Sequence, residues 1–163
     1  MISGELLIIR NSTFTDSNAM VIGGIIDVKL VVRVNTLVCS FNESTSRVKG
    51  GAIYSQDTKY IMVSGVIFIR NAAGSMGGGA LFIMGSRQVK CIKAYFVANI
   101  ANASGGAVIV IDVNNILLHS CAFYKNAAKV QGGAISCENT KLFVVSACIF
   151  IKHKVLVLAV FLS

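Results

Sequence analysis

The sequence predicts an all-β fold, a right-handed parallel β-helix of five to six coils with about 27 residues in each coil. Three observations predict it. A Gly-Gly-Ala-aliphatic motif returns at steps of 27 or 28 residues, a phenylalanine returns in phase with it, and the apolar segments between them are short and β-branched. A fixed period of this size indicates a repeat architecture, in which each unit buries its apolar face by stacking on the next.

The glycine motif occurs four times unchanged and a fifth time with one substitution. Glycine is favoured where a chain turns with positive φ, so each pair is expected at a bend between strands. The unchanged copies begin with the pairs Gly50 and Gly51, Gly78 and Gly79, Gly105 and Gly106, and Gly132 and Gly133, and the fifth copy begins with Gly23 and Gly24.

The second motif is Phe-x-x-Asn. Its phenylalanine recurs six times and its asparagine three times, with Ser17, Ser44 and His153 in the remaining copies. Stacked asparagine amides can bond to each other from coil to coil, so a buried ladder is expected at this position. The complete copies are Phe68 with Asn71, Phe96 with Asn99, and Phe123 with Asn126, and the other phenylalanines are Phe14, Phe41 and Phe150.

The apolar segments favour strands over helices. No repeat has the i, i+3, i+4, i+7 apolar spacing of a helix. Segments such as Ile61–Val63 and Phe143–Val145 are rich in β-branched and aromatic residues, and polar turns such as Glu138–Lys141 separate them. We therefore expect three short strands per coil, coils about 4.8 Å apart, and a rod of roughly 25–30 Å.

The charge pattern excludes a sequence-specific nucleic-acid reader. The formal net charge is +8, but the basic residues form no run or cluster in the sequence. Attraction to anionic surfaces or polysaccharides remains open. The basic residues assigned to turns are Arg47, Lys49, Lys59, Arg87, Lys129 and Lys141.

The predicted domain covers residues 1–153, and residues 154–163 form an apolar tail. The first residues lack the pattern of a signal peptide, and the tail is too short to span a bilayer. No transmembrane segment is expected. Solenoids carry polar capping repeats, and none is found here, so we expect a fragment whose coils continue at both ends.

Cysteine and histidine spacing predicts no metal or cofactor site. The five cysteines include no C-x-x-C pair, and His119 and His153 fall in different columns of the repeat. Cys121 and Cys148 are one period apart, within reach of a disulfide, although small buried thiols are the favoured interpretation.

The acidic residues do not predict a catalytic site. Parallel β-helices also occur in pectin-lyase-like enzymes, which use clustered carboxylates. Asp57 and Asp112 share a column, but they are two coils apart with Gly85 between them, about 10 Å by the strand rise. Glu138 lies on the coil after Asp112 but one position out of its column. No catalytic residue is therefore assigned.

The two motifs in phase resemble the repeats of the chlamydial polymorphic membrane proteins over residues 7–153. The resemblance implies a β-helical autotransporter passenger at the cell surface or outer membrane, with adhesin activity toward a host-cell protein or glycan. It assigns that role to Gly105–Val108 with Phe123–Asn126, and to Gly78–Leu81 with Phe96–Asn99. Two alternatives stay open: a fragmentary or degraded reading frame without independent function, and a carbohydrate-active enzyme of the pectate lyase or polygalacturonase kind.

Overall fold

The computed structural model describes residues 2–155, which form 22 β-strands in six stacked coils of about 27 residues. Each strand pairs in parallel with the equivalent strand of a neighbouring coil, and no helix occurs in this part of the chain. The predicted parallel β-helix is confirmed. Of the predicted tail 154–163, only Lys154 and Val155 are described, and residues 156–163 lie outside the described range.

Each regular coil has four strands, which build four faces. The glycine face follows the glycine motif and contains the first part of β4 (Ile26–Leu37), then β7 (Ile53–Gln56), β11 (Leu81–Met84), β15 (Val108–Ile111) and β19 (Ile135–Glu138). The β8 face contains β1 (Ile2–Arg10), the second part of β4, β8 (Tyr60–Ser64), β12 (Gln88–Ile92), β16 (Asn115–His119) and β20 (Leu142–Ser146). The long strand β4 joins these two faces into one ten-stranded sheet.

The other two faces carry shorter strands. The phenylalanine face consists of β2 (Thr13–Thr15), β5 (Ser40–Asn42), β9 (Ile67–Ile69), β13 (Tyr95–Val97), β17 (Ala122–Tyr124) and β21 (Ile149–Ile151). The alanine face consists of β3 (Asn18–Ala19), β6 (Thr45–Ser46), β10 (Ala72–Ala73), β14 (Ile100–Ala101), β18 (Ala127–Ala128) and β22 (Lys154–Val155).

The prediction of three strands per coil was one strand short. The missed element is the two-residue strand of the alanine face, such as Ala72–Ala73. A strand of this length has no period-2 pattern to read, because alternation needs at least four residues. Its position is fixed instead by backbone bonds to the neighbouring coils, such as Ala72 N–H to Ser44 O at 2.9 Å.

The corners between faces are left-handed turns that mostly lack glycine. Fifteen described non-glycine residues have positive φ, including the β-branched Val38 at 53°. This conformation costs roughly 1–2 kcal/mol for an L-residue. Stacking offsets that cost, because the N–H at most corners donates to the next coil, as Val38 N–H does to Ser64 O at 2.9 Å. The three corner columns are Asn11, Val38, Gly65, Lys93, Ser120 and Ala147; Asp16, Glu43, Arg70, Ala98, Lys125 and Lys152; and Leu30, Asp57, Gly85, Asp112 and Asn139.

The core runs along the axis as stacked columns of identical or similar side chains. In the middle coils the inward residues are almost fully buried, with Phe68 and Phe96 both at 0% exposure. In the last coil, Phe143, Val145 and Phe150 occupy the same inward columns but are 43–44% exposed. These apolar side chains are exposed because no further coil packs on them within the described residues.

Candidate recognition surface

The three motif asparagines form a buried ladder inside the corner that follows the phenylalanine face. Asn71 donates its backbone N–H and its side-chain amide to Oδ1 of Asn99, each at 3.0 Å. Asn99 repeats the pattern on Asn126 at 2.9 and 3.0 Å. Each Nδ2 also donates to the carbonyl of the phenylalanine one coil earlier, as Asn99 does to Phe68 at 3.0 Å. The ladder predicted from the sequence is present, and its amides face the core.

The phenylalanines form a continuous stack beside this ladder. Successive ring centroids are 4.6–5.1 Å apart from Phe14 to Phe150, with interplanar angles of 1–14°. The spacing matches the inter-strand distance, so the strand register holds the rings in van der Waals contact. Phe68, Phe96 and Phe123 therefore have no surface with which to bind a partner.

The two glycines of each pair serve different geometric needs. The first has positive φ, as in Gly105 at 63°. The second lies against the next coil, where a Cβ on Gly106 would fall 2.1 Å from the Gly133 carbonyl oxygen. The same relationships hold for Gly50 with Gly51 and for Gly78 with Gly79. At Gly132 and Gly133 the nearest atoms to a Cβ on the second glycine belong to Lys154.

His153 takes the asparagine position in the last described coil. Its Nδ1 accepts from the Asn126 N–H at 3.3 Å, and its buried Nε2 has no hydrogen-bond partner among residues 2–155. An acceptor at Nδ1 requires the neutral imidazole. Burial lowers the pKa of His153, which keeps the ring in this form at neutral pH. His119 lies elsewhere, exposed at the end of β16, as the spacing predicted.

All five cysteines are free thiols. Cys39, Cys91 and Cys121 are buried, Cys148 is half-buried and Cys137 is exposed. Cys121 N–H lies 3.3 Å from Sγ of Cys148, which is in the same column one coil further on. Burial raises the pKa of Cys121 to about 11 and also raises that of Cys91. Cys91 and Cys121 are therefore protonated core residues.

Asp57 and Asp112 lie at corners, and neighbouring polar side chains bind both of them. Asp57 accepts from the Gln56 amide at 3.1 Å, and Asp112 accepts from the side chain of Asn139 on the next coil. Glu138 pairs with Ile111 in the register, one position from the Asp112 column, as the sequence indicated. Within residues 2–155 no group of three or more histidines, cysteines and acids could hold a metal ion.

The outer side of the glycine face is covered. Tyr54, Phe82 and Ile109 point outward from successive strands, yet they are 2%, 0% and 6% exposed. Ile22, Met84 and Ile111 pack against them, and Lys49 Nζ lies 4.9 Å from the Phe82 ring centre. This second cluster was not predicted, because a segment such as Val108–Ile111 is one continuous apolar run that does not distinguish inward from outward residues.

The β8 face, in contrast, presents an open sheet. Its outward columns run through Arg33, Tyr60 and Gln88 in one row and through Asn35, Met62 and Lys90 in the next. Together they line a shallow concavity of about 420 Å³, formed by Arg33, Asn35, Tyr60, Ile61, Met62, Gln88 and Lys90. We call this surface the β8 groove. The Arg33 guanidinium lies over the Tyr60 ring, 5.7 Å from its centre.

The β8 groove was not predicted from the sequence. The scattered basic residues were assigned to turns, whereas Arg33 and Lys90 lie on strands. The available signal was the alternation Tyr60-Ile61-Met62-Val63 and Gln88-Val89-Lys90-Cys91, in which every second residue is polar or amphipathic. Aligning the repeats brings these outward residues together on successive coils.

The stacked coils and their internal ladders define the chain as a parallel β-helical repeat protein, a β-solenoid. Residues 120–138, which contain Phe123, Asn126 and the pair Gly132 and Gly133, match the family model described as the Chlamydia polymorphic membrane protein repeat. Together with the stacked coils, this match over 19 of the 163 residues supports a repeat protein of the polymorphic membrane protein type.

Other comparisons are negative. No curated protein and no solved structure matches the chain significantly. The described residues also contain no helix of the length and hydropathy needed to cross a membrane.

Proposed function

We propose that the chain is a non-catalytic, surface-exposed repeat segment with an adhesive role, comparable to the passenger of an autotransporter. The observation that carries the proposal is that the motif residues are used inside the coils, whereas other side chains form the outer surface. The motif glycines, phenylalanines and asparagines are engaged in backbone packing and buried ladders. The side chains available to a partner are therefore those of the outer faces, and chief among them those of the β8 groove. The match to the polymorphic membrane protein repeat supports a location at the cell surface or outer membrane.

The proposal extends to both ends of the described stack. The first coil leaves the inward-facing Leu7, Ile9 and Phe14 only partly buried, and the last coil exposes Phe143, Val145 and Phe150. Surfaces of this kind suit further coils of the same repeat, because a solenoid buries its columns only against a neighbour. Adding a polar capping coil after the last coil should raise the melting temperature. An unchanged melting temperature would count against continuing coils.

Adhesion is tested with the purified full chain coupled to beads. Beads that carry the folded chain should bind to cultured animal cells above the level of beads that carry a variant with scrambled turn sequences. Both proteins must show the same β-sheet circular dichroism. Equal binding of the two at matched density would contradict an adhesive role.

The non-catalytic part of the proposal has its own test. Asp57 and Asp112 are two coils apart, and each carboxylate already accepts from a neighbouring amide, which supports a structural role at the corners. Incubation with pectate or homogalacturonan should release no reducing ends or unsaturated products. Product formation that is abolished by Asp112→Ala would overturn this assignment.

A further inference from the structure

The β8 groove offers unoccupied hydrogen-bonding groups in a positive environment. Its lining includes two cations and two amides but no carboxylate. Within the described residues, the side chains of Arg33, Asn35, Gln88 and Lys90 donate no hydrogen bond to the protein. Asp57 and Asp112 lie in a corner column and accept from Gln56 and Asn139, and the exposed Glu5, next to the register partner of Arg33, forms no ion pair with Arg33 in the described residues. The donors of the groove are therefore free to bind an external acceptor.

The geometry points to a linear anionic polysaccharide as the ligand of the β8 groove, bound along the helix axis across three successive coils. This inference rests on the proposed adhesive function and names the class of partner. It assigns Arg33 and Lys90 to the acidic groups of the glycan, Asn35 and Gln88 to its hydroxyl groups, and Tyr60 to the apolar face of a sugar ring.

The spacing of the groove residues suits an extended repeating polymer. Coils follow one another at about 4.8 Å, and residues two apart on a strand are about 6.8 Å apart, so the Cα atoms of Arg33 and Lys90 are separated by about 12 Å. The two cations thus lie diagonally across three coils, with Tyr60 and Met62 between them. A ligand running along the axis would contact both cations and pass over the ring.

The position of Arg33 favours recognition of a planar or tetrahedral anion. Its guanidinium lies over the Tyr60 ring, 5.7 Å from the ring centre, and this stacking limits its freedom. Its N–H groups lie in the guanidinium plane, so they remain available for a two-point contact with a carboxylate or sulfate. Lys90 supplies a second, less directional charge from the neighbouring column.

The chemistry of the groove favours a glycan over a protein or a nucleic acid. A protein interface needs a core of apolar and aromatic side chains that exclude water, whereas this lining is largely polar and shallow. Single-stranded nucleic acid needs several aromatic side chains on which successive bases stack, and the groove has one. Amides, one aromatic ring and separated cations suit a hydroxyl-rich polymer with acidic groups.

The test measures binding of the purified full chain to three oligosaccharides by titration calorimetry. A heparin dodecasaccharide presents sulfates, an oligogalacturonate presents carboxylates alone, and a dextran oligomer of similar length is neutral. We expect binding to at least one of the two anionic oligosaccharides, none to dextran, and an affinity that falls as salt is raised. The stronger of the two anionic ligands identifies the preferred acidic group.

Two variants with the same change in charge decide whether the β8 groove is the site. The double variant Arg33→Ala and Lys90→Ala should lose affinity by about tenfold or more, equivalent to 1.4 kcal/mol. The matched variant Arg47→Ala and Lys129→Ala removes two exposed cations outside the groove and should bind nearly as the original chain does. Tyr60→Ala should weaken binding more than Tyr60→Phe does. Circular dichroism and melting temperature verify that each variant folds.

Three results would overturn the inference: no binding to either anionic oligosaccharide, equal losses in the two double variants, or equally tight binding of a DNA duplex. Failure of the glycan site can be distinguished from failure of the proposed adhesive role. A chain that binds cells but no anionic oligosaccharide refutes the glycan site alone. A chain that binds the oligosaccharide through the groove but no cells supports the glycan site and contradicts the adhesive role.

Discussion

Asn71 and Asn99 are joined by two hydrogen bonds to a single oxygen: the backbone N–H and the side-chain amide of Asn71 both donate to Oδ1 of Asn99 at 3.0 Å. Both residues are fully buried. The pair therefore couples the corner of one coil to that of the next through the core. Because unpaired buried amides are costly, this arrangement tolerates little deviation from the register.

Asn99→Ala should destabilise the chain by about 3 kcal/mol, because it removes the side-chain bonds to the Phe68 carbonyl and to Asn126 Oδ1 and takes away the acceptor of the buried Asn71 N–H. Urea denaturation followed by circular dichroism measures the change. Asn102→Ala is the matched control, since Asn102 is exposed on the following bend and should change stability by less than about 0.5 kcal/mol. Equal effects of the two substitutions would contradict the ladder.

Gly106→Ala should destabilise the fold severely, by about 3 kcal/mol or more, because the new Cβ would lie 2.1 Å from the Gly133 carbonyl oxygen and 2.6 Å from backbone atoms of Ala127. Thermal melting compares it with Gly65→Ala. There the nearest atom to the new Cβ is 3.7 Å away, and only the left-handed backbone costs about 1 kcal/mol. A Gly106→Ala chain as stable as Gly65→Ala would disprove the close approach of the coils.

The stability of the chain should fall as the pH is lowered through about 6.5, the ordinary pKa of histidine. Burial lowers the pKa of His153 in the folded state, so the unfolded chain takes up the proton first as the pH is lowered. The free energy of unfolding therefore decreases between the ordinary pKa and the lower pKa of the folded state. Protonation of Nδ1 also removes the acceptor of the Asn126 N–H.

His153→Asn should remove this contribution to the pH dependence of the melting temperature, and His119→Asn should leave it in place. An asparagine at 153 can repeat the contacts that Asn126 makes with Asn99 and Phe96. An unchanged pH profile in His153→Asn would show that His153 is not the group responsible.

Thiol labelling at pH 8 should modify Cys137 first, Cys148 more slowly, and Cys39, Cys91 and Cys121 only on unfolding. Cys137 shares an inward column with Val110 but is exposed on the last described coil. Burial raises the pKa of both Cys121 and Cys137 to about 11, so the expected order of labelling rests on the exposure of Cys137 and the burial of Cys121. Mass spectrometry follows the reaction, with Cys137→Ser as the control that lacks the fast phase. Fast labelling of Cys121, or a thiol count short by two, would contradict the free buried thiols.

The sequence was sufficient for the fold because its period and its columns are explicit. Aligning Phe14, Phe41 and Phe68 with their successors predicts the register that the strand pairs show. It was insufficient for the left-handed corners, because a β-branched residue such as Val38 does not favour positive φ, and its corner is held by a bond to the next coil. The β8 groove was missed for a related reason. Arg33, Tyr60 and Lys90 are distant in sequence, and only their strand register brings them together.

The central claim is that one 27-residue repeat is one coil, and distances along a single column test it most directly. Spin labels introduced as unnatural residues leave the native thiols untouched. Thr13, Ala122 and Ile149 belong to the same column, with Ile149 one coil beyond Ala122. Pulsed dipolar spectroscopy should find Cα separations of about 19 Å between 13 and 122 and about 24 Å between 13 and 149. Two distances that do not differ by about one inter-strand spacing would contradict the stacked coil.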